Sequence, residues 1–127
     1  MNVQLKDEIY GRYQKVKRII NEICGNYNRN PEEITIVAIT KTHPPAFVKA
    51  ALGAGIAHIG ENKIQEAEFK ADTVKLNNGK FHFVGHLQSN KAKKAVEIFD
   101  MIQSIDSVKI AEKVSEKCMN AGRVMDV

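Results

Sequence analysis

Residues 34–40 read ITIVAIT, an apolar and β-branched run that is too short for a typical helix. Such a run is typical of a strand that is buried on both faces of a parallel sheet. The sequence THPP at 42–45 then ends the strand and places proline at a helix start, where the missing N–H costs little. Apolar residues at helical spacing follow at Val48, Ala51 and Leu52. This stretch therefore predicts a strand–loop–helix unit.

The same pattern repeats along the chain. Further short strands are predicted at 56–60, 80–85, 101–105 and 123–127, with an asparagine-rich turn at 77–79 before the second of them. The helices between them are predicted from apolar residues at helical spacing that begin at Ile64, Ala92 and Ile110, with Ser107 as a cap for the last helix. An N-terminal helix is predicted from one apolar stripe, formed by Ile9, Tyr13, Val16, Ile20 and Ile23.

The predicted strands lie 20 to 24 residues apart, which indicates a repeated β/α architecture. Such repeats form either an open doubly wound sheet of about 130 residues or a closed eight-stranded barrel of about 250 residues. The length of 127 residues favours the open sheet, whereas a last strand with no helix after it fits a partial TIM-type (β/α) barrel. Strand order separates the two, since a flavodoxin-like sheet has the order 2-1-3-4-5 and a barrel has the order 1-2-3-4-5.

Composition limits the classes of function. The chain has room for one domain, and its net charge of +4 is too small for a dedicated nucleic-acid binder unless one face carries it. No window is long and apolar enough for a membrane span, and the start lacks a secretion signal, so a cytoplasmic location is expected. Cys24 and Cys118 lack the spacing of a zinc or redox motif and are predicted to be reduced, core-facing thiols.

Two polar residues follow predicted strands at the end where parallel folds gather ligands. Lys41 would lose hydration at the edge of an apolar core, which favours a neutral amine that can form a Schiff base. The alternative is a strand-ending lysine whose ammonium reaches water. Asn62 offers a donor and an acceptor to a ligand, or serves as a helix cap or turn residue. Glu61 and Glu66 are predicted to be solvated or helix-start charges.

The third candidate is His82. Strand alternation places Phe81 and Phe83 on one face, toward the helices, and His82 with Val84 on the other. His82 then faces a ligand or is a hydrogen-bonded core histidine. Its spacing to His86 would converge on a metal only in a helix, so no metal site is predicted.

A cluster of basic residues, Lys91, Lys93 and Lys94, lies near a predicted helix start. It suits a phosphate contact or forms a solvated face, and no aromatic residues interleave with it to stack on bases. The chain also lacks the glycine patterns of dinucleotide-binding and P-loop folds, so those classes are disfavoured.

Three segments together resemble the pyridoxal phosphate homeostasis protein family: AITKTHP at 38–44, GENKIQE at 60–66 and HFVGHLQSNK at 82–91. SIDS at 104–107 is similar as well. The resemblance implies a barrel like that of alanine racemase, with pyridoxal 5'-phosphate (PLP) held as a Schiff base on Lys41. It places Asn62 at the cofactor rim and His82 on the strand beneath. The family has no established turnover, and its members resemble carriers or buffers of the cofactor in vitamin B6 balance.

The resemblance also implies that residues 1–127 form a truncated domain. Family members have the length of a whole barrel, and their phosphate-binding loops and the arginine near the pyridine ring lie in the second half. The chain is therefore expected to be the N-terminal half of a PLP-binding barrel, with four β/α units and the start of a fifth strand. Such a half exposes sheet edges and apolar strand faces, which predicts self-association.

Two alternatives to a non-catalytic PLP-binding protein stay open. The first is a pyridoxal-dependent, racemase-like enzyme, which needs a second proton-transferring group opposite the cofactor ring. No tyrosine stands in a suitable motif for that role. The second is a small flavodoxin-like interaction module that uses the basic cluster at 91–94.

Overall fold

Strands and helices alternate along residues 2–74 and 79–127, which the computed structural model describes. The helices are α1 (Val3–Asn26), α2 (Pro45–Gly53), α3 (Ile64–Thr73), α4 (Ala92–Ile98) and α5 (Val108–Asn120). The strands are β1 (Val37–Ile39), β2 (His58–Glu61), β3 (Lys80–Phe83) and β4 (Met101–Ile102). Short 3₁₀ turns cover Pro31–Glu33 and Ser89–Lys91. The predicted turn at 77–79 includes Asn77 and Asn78, which lie outside the described residues.

The four strands form one parallel sheet in the order β1-β2-β3-β4. Ile39 pairs with Gly60, Gly60 with His82, and His82 with Met101, so these four residues form one row across the sheet. The molecule is thus an α/β protein with a parallel sheet and helical connections. Because neighbours in sequence are neighbours in the sheet, the flavodoxin-like order 2-1-3-4-5 is wrong.

The predicted strand at 123–127 is present only as a single bridge. Asp126 pairs with Met101 in parallel, and the Ile102 N–H donates to the Asp126 carbonyl at 3.2 Å. This bridge lies at the outer side of β4, where a fifth strand of a sequential parallel sheet would begin.

The core lies between the sheet and the helices, on one face of the sheet. Phe81 and Phe83 point into it, and their rings lie 5.4 and 5.1 Å from the ring of Phe99. His82 lies on the opposite face, so the predicted alternation along β3 is confirmed. The other large buried side chains of this core are Ile59, Leu87, Ile102, Val48 and Val96.

The first strand differs from its prediction in length and in burial. Only Val37–Ile39 of the run at 34–40 pairs with a neighbour, and Ile39 is 46% exposed. The expectation of a strand buried on both faces is therefore wrong. The helices cover one side of the sheet, and on its other side Ile39 is exposed while Val37, Val84 and Met101 are half-buried.

Helix α1 contains the whole predicted stripe, begins six residues before Ile9 and packs against α2. Asn2 caps its start, and Asn28 adopts a positive φ of 57° just after its end. Ile9 and Tyr13 reach the core, whereas Val16 and Ile23 stay exposed. Only part of the predicted apolar stripe is thus covered.

Two local predictions at the helices are confirmed. The Ser107 Oγ accepts a hydrogen bond from the Ile110 N–H at 3.1 Å and so caps α5. Cys24 and Cys118 are free thiols in buried positions. None of the helices in residues 2–74 and 79–127 has both the length and the apolar character needed to cross a membrane.

Candidate functional site

Lys41 lies in the turn that follows β1, at the carboxyl end of the sheet. Its side chain is exposed. The expectation that the edge of the core removes water from this amine is therefore wrong for this structure, and the solvated alternative is observed. Its two neighbours, Thr40 and Thr42, are by contrast held by hydrogen bonds from other parts of the fold.

A buried ionic group lies directly beside this turn. The Lys70 Nζ donates to the Glu61 Oε1 at 2.5 Å, the Thr40 carbonyl at 2.6 Å and the Glu66 Oε1 at 2.9 Å. The Thr40 hydroxyl donates to the same Glu61 oxygen at 2.5 Å. Glu61 is 0% exposed and Lys70 is 2% exposed. We refer to Thr40, Glu61, Glu66 and Lys70 as the Lys70 cluster.

Glu66 connects this cluster to the turn. Its Oε1 also accepts the backbone N–H of Thr42 at 2.6 Å. The hydrogen bond from Lys70, assisted by the one from Thr42 and opposed by partial burial, holds the pKa of Glu66 below its usual 4.5. Thr42 has a φ of 67°, a left-handed conformation that is uncommon for a β-branched residue. The carboxylate therefore holds a strained residue next to Lys41.

The prediction that Glu61 is a solvated charge is wrong, whereas the helix-start alternative is confirmed for Glu66, which lies in the first turn of α3. Alternation along β2 places Glu61 beside Ile59 on the helix-covered face, where Lys70 of α3 meets it. The sequence contains one indication that Lys70 is buried with Glu61. Lys70 stands three residues after Ala67 and four before Val74, so it lies among the apolar residues of α3 that face the core.

Asn62 follows β2 and keeps an unused acceptor. Its side-chain Oδ1 is buried and has no hydrogen-bond partner in the described part of the chain. Lys63, rather than Asn62, occupies the N-cap position of α3, so the helix-cap alternative is not observed. A Cβ on Gly85 would lie 2.2 Å from the Asn62 carbonyl oxygen. Glycine at position 85 therefore allows the ends of β2 and β3 to approach closely.

His82 is 5% exposed and hydrogen-bonded through its two ring nitrogens. Its Nε2 lies 2.9 Å from His58 Nδ1, and its Nδ1 lies 2.8 Å from Gln103 Nε2. Burial, followed by the charge of His58, lowers the pKa of His82 from its usual 6.5. A neutral ring is therefore favoured at pH 7. No group of metal-binding side chains with suitable geometry occurs in residues 2–74 and 79–127.

A cavity of about 340 Å³ lies at the carboxyl ends of β2 and β3. Asn62, Glu66, Phe83, His86 and Lys91 are among the residues that line it, and Lys41 is not. The structure thus brings Asn62 and the Glu66 carboxylate to one cavity. It does not join Lys41, Asn62 and His82 by hydrogen bonds within the described residues.

The basic residues at 91–94 do not form a uniform cationic surface. The Lys94 Nζ donates to the Glu68 Oε1 at 2.9 Å, and this bond raises the pKa of Lys94. Lys91 lines the cavity, and Lys93 is exposed. The solvated-face alternative therefore describes Lys93, while Lys94 is paired with an acidic partner on α3.

No protein-family model matches the sequence. The pyridoxal phosphate homeostasis protein of Pseudomonas aeruginosa is 37% identical over 103 residues, which are 81% of this chain and 45% of that protein. The protein of that name from Synechocystis is 45% identical over 85 residues, 66% of this chain and 39% of that protein. The chain spans about half the length of the curated relatives it matches.

The fold is similar to that of a solved structure. PipY of Synechococcus elongatus, solved with PLP bound, has a TM-score of 0.71 and 39% sequence identity. The match covers 83% of this chain and 50% of PipY.

Proposed function

The chain belongs to the pyridoxal phosphate homeostasis protein family, and we propose that it binds PLP as a non-catalytic protein of vitamin B6 homeostasis. One observation carries the proposal. PipY, which shares 39% sequence identity with the chain and has a similar fold, was solved with PLP bound. The assigned cofactor-binding residues are Lys41, Asn62 and His82.

The chemistry of the residues fits this cofactor. PLP supplies an aldehyde, whose carbonyl carbon bonds to a neutral lysine amine with loss of one water molecule. The exposed Lys41 is open to such a ligand. The buried, unpartnered Asn62 Oδ1 supplies an acceptor at the rim of the cavity. Gly85 allows the Asn62 backbone to approach closely, which supports the position of Asn62 at this rim.

His82 has a supporting role in this proposal. Since its two ring nitrogens are engaged by His58 and Gln103, it contributes the position and shape of its ring rather than a free hydrogen bond. It lies in the same row as Ile39 and Gly60, the residues that precede Lys41 and Asn62 by two.

A racemase-like enzyme is the less favoured alternative. The names of the relatives describe homeostasis and state no catalytic activity. A racemase needs a second proton-transferring group at the carboxyl end of the sheet. The chain's three tyrosines, Tyr10, Tyr13 and Tyr27, belong to α1 or to its C-cap and are remote in sequence from the strand ends. This distribution favours a carrier over a catalyst.

Residues 1–127 are assigned to the N-terminal half of a PLP-binding (β/α) barrel domain. The sequential order of parallel strands and the placement of the helices on one face support this assignment. The open face carries exposed apolar surface at Ile39. Self-association through this face would remove that surface from water.

The assignment of Lys41 is tested by reductive trapping. The protein is incubated with PLP, reduced with sodium borohydride, digested and mapped by mass spectrometry. We expect the main label on Lys41 and its loss in Lys41→Ala. Lys49→Ala, at an exposed lysine of α2, is the matched control and should keep the wild-type pattern. An unchanged total label in Lys41→Ala, spread over surface lysines, would overturn the assignment.

A further inference from the structure

The backbone on either side of Lys41 is held by two side chains of one helix. Lys70 of α3 donates to the Thr40 carbonyl at 2.6 Å, and Glu66 of α3 accepts the Thr42 N–H at 2.6 Å. Lys41 is the residue between these two contacts. Because Thr42 is left-handed at a φ of 67°, its conformation persists only where the surroundings impose it.

The cluster also determines which amine remains available. An ammonium group has three N–H donors, and Lys70 directs its Nζ to three acceptors, of which two are carboxylate oxygens. The side chain is 2% exposed. The Lys70 Nζ is therefore engaged by three acceptors and enclosed away from solvent, whereas Lys41 is exposed.

We propose that Lys70, Glu61 and Glu66 are positioning residues, which fix the turn that presents Lys41 and exclude Lys70 as a competing amine. This inference rests on the proposed binding of PLP by Lys41. Glu61 acts on the turn in two ways, since its Oε1 receives the Lys70 Nζ and also the hydroxyl of Thr40. Glu66 acts directly on the turn through the Thr42 N–H.

The test compares Glu66→Ala with Glu68→Ala. The two residues lie on α3, and each carboxylate receives a lysine Nζ at 2.9 Å, but only Glu66 also binds the backbone of the turn. The first readout is amide hydrogen exchange at Thr42 without cofactor. The second is the fraction of borohydride-fixed PLP that maps to Lys41 rather than to other lysines.

We expect Glu66→Ala to speed exchange at Thr42 by about tenfold, as the loss of one charge-assisted hydrogen bond predicts. In the same variant, the fraction of label that maps to Lys41 should fall. Glu68→Ala should leave both the Thr42 exchange rate and the Lys41 fraction at the wild-type level. Glu66→Gln, which keeps the side-chain shape, should lie between them and replaces Glu66→Ala if that variant does not fold.

The two proposals fail in distinguishable ways. Equal Thr42 exchange in the wild type and in the Glu66 variants would overturn the positioning role, as would a faster exchange that leaves the Lys41 fraction unchanged. A wild-type protein that carries no label on Lys41 would instead contradict the proposed function. In that case the exchange readout still decides whether Glu66 fixes the turn.

Discussion

Burial of His82 makes the stability of the protein dependent on pH. Its pKa is lowered in the folded state by burial and by His58, with Asp100 opposing the shift, so the unfolded chain binds a proton more readily near its usual 6.5. The stabilising contribution is therefore complete above pH 6.5 and is lost as the pH falls through 6.5 toward the lower folded value.

Urea unfolding at pH 7.5 and 5.5 measures this effect. We expect the wild type to lose more stability between these pH values than His82→Gln does, because the variant has no ring to protonate. His86→Gln is the control for the loss of a histidine, since the His86 side chain is 71% exposed. An equal loss of stability in the wild type and His82→Gln would contradict the prediction.

The residues of the candidate site were predictable to different degrees. Period-two alternation was enough to place His82 opposite Phe81 and Phe83, because it depends only on local geometry. The burial of Glu61 was not predictable from its neighbours, since it depends on Lys70 reaching it from α3. From sequence alone, a carboxylate between a strand and a helix is predicted to be solvated, because the partner that neutralises it belongs to another element.

The close approach of β2 and β3 depends on Gly85. A methyl group there would lie 2.2 Å from the backbone oxygen of Asn62, which cannot move away as the end of a flexible side chain could. We expect Gly85→Ala to destabilise the protein by about 1–3 kcal/mol. It should also reduce PLP binding through the displacement of Asn62.

Gly11→Ala is the control for this substitution. Gly11 lies within α1, and a Cβ there would meet no atom within 4 Å. Alanine at this helical position should stabilise the protein by about 0.5–1 kcal/mol. Chemical denaturation measures the two variants, and a Gly85→Ala protein as stable as the wild type would refute the close contact.

The order of the helices and strands was predictable, whereas the lengths of the strands were not. Caps such as Ser107 and helical periodicity depend on neighbouring residues and therefore mark helix limits within a few positions. A strand ends where its partner ends, so residues 34–36 are apolar or β-branched and yet lie outside β1. The apolar run at 34–40 alone predicted burial on both faces, whereas the resemblance to half of a barrel implied an exposed strand face. An apolar run predicts burial without showing which elements provide it.

At the scale of the whole molecule, we expect self-association through the open face of the sheet. Ile39→Asp should shift the protein toward monomer in equilibrium sedimentation at micromolar concentration, because a charge would be buried at the contact. Ile19→Asp is the matched control, since Ile19 on α1 is 49% exposed and Ile39 is 46% exposed. A wild-type protein that is monomeric would contradict self-association, and a stronger effect of Ile19→Asp would assign the contact to α1.

The bridge at Asp126 bears on how copies of the chain can join. It occupies the outer side of β4, where an incoming strand from another molecule would otherwise pair. Joining β4 of one molecule to β1 of the next would create a head-to-tail contact, which propagates into open filaments unless it closes into a ring. The Asp126 carbonyl already accepts the Ile102 N–H, so this edge of β4 has one donor fewer for such a contact.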